Sequence, residues 1–73
     1  MTKFGEFLAK RSVNKSDVSR KTGISKPRLS ELTLKETTKI RADELYMISV
    51  AIGVNPSEML EYVCGHLKEE VKE

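Results

Sequence analysis

Val13-Asn14-Lys15-Ser16-Asp17-Val18-Ser19-Arg20-Lys21-Thr22-Gly23-Ile24-Ser25-Lys26-Pro27-Arg28-Leu29 contains two helix starts separated by one glycine. Asn14 and Ser25 carry side-chain oxygens that accept from the free amides of a first helical turn. Each follows an apolar residue and precedes another at the fourth helical position, Val13 with Val18 and Ile24 with Leu29, the spacing of a hydrophobic staple. Gly23 stands where the first of the two helices must end at positive φ, a conformation glycine adopts without steric cost. The stretch predicts a helix-turn-helix with a short leading helix and a tight turn.

The two starts differ in charge. Asp17, third in the leading helix, can return to its own N-terminus in a capping box, whereas the second helix opens Lys26-Pro27-Arg28. Cations at the positive end of a helix dipole are unfavourable by about 0.3–1 kcal/mol within the chain, but they suit an N-terminus that faces phosphates and base edges. Pro27 is tolerated because first-turn amides have no partner inside the helix.

Outward from this core, Phe4, Phe7 and Leu8 recur at helical spacing and predict a first helix over 2–12. The helix-turn-helix itself takes 15–22 and 26–34, with Leu29 and Leu32 inward. Residues 33–41 form a polar, basic connection without glycine or proline. A fourth helix over 42–52 turns Leu45, Ile48 and Ile52 to one face, with Ile40 as its staple residue and Gly53 as its stop. Val54-Asn55-Pro56-Ser57-Glu58-Met59 opens a fifth, with staple, cap, proline at the first position and glutamate at the third. Met47 and Met59 fall at core spacing. No alternating stretch argues for strands. The expectation is an all-α, five-helix bundle.

Seventy-three residues make one small domain near the lower limit for folding without staples, here expected to span 1–73. No apolar run approaches the roughly 20 residues that cross a bilayer, and Met1–Glu6 does not lead into a signal peptide. A soluble, cytoplasmic protein without membrane association is expected. The single Cys64 allows no internal disulfide, and Cys64 with His66 falls short of a metal site. There is one histidine and no glycine-rich phosphate loop, so neither catalysis nor a cofactor is expected. The overall charge of +2 conceals a division. Residues 1–41 carry eleven Lys/Arg against four acids, and residues 42–73 carry two against seven. Such segregation is what one polyanion-facing side requires.

Val18 to Ser25, Leu29 to Leu32, and Lys39-Ile40-Arg41-Ala42-Asp43-Glu44-Leu45 through Ala51-Ile52-Gly53-Val54-Asn55-Pro56-Ser57-Glu58-Met59-Leu60 together resemble the Cro/C1-type, phage-repressor-like helix-turn-helix regulators. The resemblance covers residues 4–63 and leaves 64–73 as a C-terminal extension. It implies a bundle whose third helix enters the major groove of double-stranded DNA, commonly as a homodimer on a two-fold operator. Ser19 replaces a common alanine with another small residue, Lys15 stands where the family often has glutamine, and Thr33-Leu34-Lys35 departs from the usual segment after the third helix.

Carried over position by position, Lys26, Pro27, Arg28 and Glu31 are the base-facing candidates. Lys26 or Arg28 can bond guanine, Glu31 can accept from cytosine, and Pro27 offers an apolar contact to a thymine methyl. Arg28 is equally suited to phosphate, and Glu31 to an ion pair with Lys35 four residues on. Asn14, Lys15, Ser25, Lys35, Thr37, Thr38 and Lys39 are the phosphate-facing candidates. Leu60, Cys64, Leu67 and Val71, spaced 4, 3 and 4, form an apolar stripe that needs a partner, either a second subunit or the chain's own first helix. The expected function is sequence-specific transcriptional regulation, by repression. The alternatives are the antitoxin of a toxin–antitoxin pair, holding a toxin through another face, and a protein-interaction module on the same fold.

Overall fold

The structure, a computed structural model, describes residues 1–72. Five α-helices follow in order: α1 Lys3–Lys10, α2 Lys15–Thr22, α3 Lys26–Leu34, α4 Ala42–Ile52 and α5 Pro56–Cys64. A 3₁₀ helix, Gly65–Glu70, continues from α5, and there is no strand among the described residues. The expected all-α bundle is the observed one.

Local chemistry explains the helix ends. Asn14 Oδ1 accepts from the amides of Ser16 and Asp17 at 2.8 and 3.2 Å, Ser25 Oγ from that of Arg28 at 3.3 Å, and Asn55 Oδ1 from that of Ser57 at 2.8 Å. Gly23 and Gly53 close α2 and α4 in the left-handed region, at φ 81° and 74°. Asp17 does not complete the expected capping box. Its carboxylate accepts instead from Arg20 at 3.2 Å, one turn along the same exposed face. α1 is shorter than expected, ending at Lys10. Ser12, at φ 53°, makes the turn that glycine makes elsewhere.

Phe4, Phe7 and Leu8 of α1, Val18, Ile24, Leu29, Leu32, Leu45, Ile48 and Met59 form the buried core, with Val13, Ile40, Ile52, Val54, Tyr62 and Val63 packed against it. Each staple residue expected before α2, α3, α4 or α5 is therefore in or against the core. Met47 is not. It is 37% exposed, because Ile48 and Leu45 already fill the inward face of α4.

The end of α3 is pinned to the start of α1. The Thr2 amide donates to the Thr33 carbonyl at 3.0 Å, and its hydroxyl donates to that of Leu32 at 2.7 Å while accepting from the Gly5 amide at 2.9 Å. A Cβ on Gly5 would fall on the Thr33 carbonyl oxygen, so glycine sets how closely α1 meets α3.

The C-terminal stripe differs from the expectation. The α-helix stops at Cys64 and the chain tightens to 3₁₀ geometry, in which residues three apart eclipse. Leu60, Cys64, Leu67 and Val71 therefore do not share one α-helical face. Val71 lies beyond the 3₁₀ turn in extended backbone and is 74% exposed, and Leu60 and Leu67 are about half exposed. Cys64 and Leu67 line a groove of about 260 Å³ with Thr2, Lys3 and Phe4 at the start of α1.

Candidate nucleic-acid interface

α3 buries Leu29, Leu32 and Thr33 and turns Lys26, Pro27, Glu31 and Leu34 to solvent, with Ser30 half-buried between them. Lys26 and Ser30, like Pro27 and Glu31, are four residues apart, so the four share one helical stripe. Ser30 was not singled out from sequence. Its place on the stripe follows from the burial of Leu29 and Leu32 on either side.

The first turn of α3 contains no acidic residue. Lys26 makes no ion pair among the described residues, nor do Lys15, Lys35 and Lys39. Glu31 is exposed and makes none with Lys35, whose amide instead donates to the Glu31 carbonyl at 2.9 Å and closes the helix. In the connection that follows, Lys35, Thr37 and Lys39 are exposed and Thr38 is half-buried. Asn14 and Ser25 have their acceptor oxygens committed to capping α2 and α3. The amide group of Asn14 and the hydroxyl proton of Ser25 remain free to donate.

The arginines behave differently from these lysines. All four are held by carboxylates: Arg11 by Glu58, Arg20 by Asp17, Arg28 by Glu44 and Arg41 by Asp43. Lys10, the last residue of α1, and Arg11, which follows it, face α5. Arg11 reaches Glu58 at 2.7 Å, and the Lys10 ammonium donates to the Tyr62 hydroxyl at 3.1 Å, a hydrogen bond that raises the Lys10 pKa. Tyr62 also lies edge-on to Phe7 at 5.3 Å. Part of the positive charge of residues 1–41 thus holds the bundle together.

Arg28 is the clearest departure from the expected site. Its Nε and Nη2 donate to Glu44 Oε2 and Oε1 at 2.9 and 2.8 Å, and Nη2 also donates to the Lys39 carbonyl at 3.0 Å. Glu44 is 6% exposed and accepts in addition from the Arg41 amide at 2.9 Å. Hydrogen bonding from Arg28 holds the Glu44 carboxyl below the usual carboxylate range, and the same bond raises the Arg28 pKa. Sequence reasoning did not single out Glu44, which lies 16 residues from Arg28; the one local signal was its place as third residue of α4, where a capping-box glutamate belongs.

This chemistry suits a polyanion: lysine ammonium groups without ion pairs among the described residues, and a third helix whose exposed N-terminal turn carries no acid. No helix among the described residues is long and apolar enough to cross a membrane. Comparison with curated proteins and with solved structures gave no match. The family model of the Cro/C1-type HTH DNA-binding domain matches residues 3–65, and the chain belongs to that family.

Proposed function

We propose that the chain is a sequence-specific regulator of transcription that reads the major groove with α3 and represses by occupying its operator. The observation that carries this reading is the start of α3, with Lys26 and Pro27 exposed, no acid in the first turn, and the positive end of the helix left to an outside anion. Lys26, Pro27 and Glu31 meet base edges, while Asn14, Lys15, Ser25, Lys35, Thr37, Thr38 and Lys39 meet phosphates and fix the register. A homodimer places two such helices about 34–36 Å apart on a two-fold operator.

Selection of bound sequences from random duplex DNA tests the reading, followed by a salt titration on the selected site. A single preferred motif is expected, with log affinity falling against log salt by about 0.9 per phosphate neutralised. Failure to retain any duplex at low salt overturns it.

A second reading, in which the domain also holds a protein partner as an antitoxin does, is favoured by α4. Tyr46 and Val50 are both 60% exposed and line a shallow apolar groove with Met47, Ala51, Lys21 and Thr22. Co-purification of a second small protein that is lost on Val50→Asp supports it. Purification alone, with the selected operator still bound, supports the simple regulator.

A further inference from the structure

Of the four carboxylates that hold arginines, three are on the surface, with side chains 56–59% exposed. Glu44 alone is buried, its side chain 8% exposed. It accepts three hydrogen bonds, two from Arg28 and one from the Arg41 amide, and Arg28 passes one more to the Lys39 carbonyl. A planar guanidinium thereby joins the first turn of α3, the first turn of α4 and the backbone of the connection between them. A fork of fixed geometry sets distance and rotation together, which a single-point ammonium does not.

The same bonds determine what Arg28 can offer outward. Nε has given its one hydrogen and Nη2 both of its own, which leaves the two hydrogens of Nη1. The bidentate contact to guanine O6 and N7 takes donors from two nitrogens, and Arg28 has only one left. Lys39 carries a candidate phosphate-facing ammonium on the residue whose carbonyl the fork holds, and Lys26 and Glu31 stand on the helix whose start the fork holds. The base-facing and backbone-facing groups are therefore referred to one frame.

We propose that Glu44 is a positioning residue for DNA reading: acting through Arg28, it sets the pitch of α3 against the Lys39 segment, so that Lys26 and Glu31 meet base edges in register. This rests on the regulator reading above and assigns Arg28 to the frame rather than to a base. It predicts that an acidic residue which itself touches no DNA controls sequence preference.

The experiment measures the full chain and its Glu44→Gln, Arg28→Lys, Arg28→Ala and Glu44→Gln/Arg28→Ala variants against the selected operator, its single-base changes and random duplex. Circular dichroism is recorded on each variant. Glu44→Gln and Arg28→Lys should each lower operator affinity by about tenfold, the effect of one poorly met base contact. Both should flatten preference at the base pairs under Lys26 and Glu31 together, without lowering affinity for random duplex. The double variant should flatten it no further than Arg28→Ala does. Arg28→Lys keeps the net charge and retains one ion-pair contact, so it carries the test if Glu44→Gln does not fold. The proposal is overturned if Arg28→Ala relaxes a single base pair while Glu44→Gln leaves the profile intact, or if Arg28→Lys preserves the wild-type profile. A wild-type chain that selects no sequence fails earlier, at the regulator reading, and takes this proposal with it.

Discussion

α3 and α4 begin in opposite ways. α3 has a side-chain acceptor at its cap, Ser25, and then cations at its first and third positions with no acid in the turn. α4 has Arg41 at its cap, which has no acceptor to give, and places Asp43 and Glu44 in its first turn, where Glu44 folds back onto the Arg41 amide at 2.9 Å. Each start lacks what the other supplies. The ion pair between Arg28 and Glu44, third residues of their helices, exchanges the surplus, so the α4 start is answered entirely inside the molecule. The α3 start is answered only in part, because Lys26 remains exposed and without an ion pair. On the regulator reading proposed above, that free charge is the one offered to DNA.

The largest effect should come from removing the core beneath the start of α3. Leu29, fully buried one residue after Arg28, should lose about 2–5 kcal/mol on Leu29→Ala, read by urea denaturation. A loss under about 1 kcal/mol would mean that α3 is held from its ends and not by the core.

Acid should separate the two starts next. Glu44 is ionised in the fold below its unfolded pKa of about 4.3. The stability its charge contributes is complete above that value and is lost as pH falls through the lower folded one. Between pH 6 and 3 the wild type should therefore lose stability more steeply than Glu44→Gln; parallel curves would sink the idea that α4's start depends on this charge.

The caps give a smaller contrast, of opposite sign. Ser25→Ala should destabilise by about 1 kcal/mol, whereas Arg41→Ser adds the missing acceptor and should stabilise by about 0.5 kcal/mol after losing its exposed pair with Asp43. Thermal melts of both variants decide this, and a destabilised Arg41→Ser would show that Glu44 alone suffices for the cap.

The smallest effect on stability is the sharpest on function. Lys26→Glu places an anion at the positive end of α3 and should stabilise the fold by about 0.3–1 kcal/mol at low salt, while weakening DNA binding. Loss of both stability and binding would mean that Lys26 serves the fold.

What sequence made legible is the part decided by neighbours in the chain. Asn14, Ser25 and Asn55 bond amides two or three residues away, and Gly23 and Gly53 answer a local demand for positive φ, so the second, third and fourth helices are found at their expected bounds and the fifth at its expected start. What escaped was decided across the fold. Thr2 meets Thr33 from 31 residues away, and Arg28 meets Glu44 from 16, where competition between several carboxylates cannot be resolved by spacing. Met47 fits the periodicity of α4, but periodicity does not say how many turns of a face the core can cover. In the candidate site, the exposed positions of α3 were legible from Leu29 and Leu32. The withdrawal of Arg28 was not, since a cation at a helix start looks alike whether its partner is nucleic acid or a carboxylate on the next helix.

The attachment of α3 at both ends has a practical meaning. Thr2 grips its last turn, Arg28 and Glu44 its first, and Leu29 and Leu32 its underside. None of these groups lies on the stripe of Lys26, Pro27, Ser30 and Glu31. The helix is thus mounted like an exchangeable cassette, and the three exposed positions of that stripe, Lys26, Pro27 and Glu31, are open to rewriting in a library without disturbing the mounting, so the fold offers a scaffold on which new surface chemistry can be tried one helix face at a time.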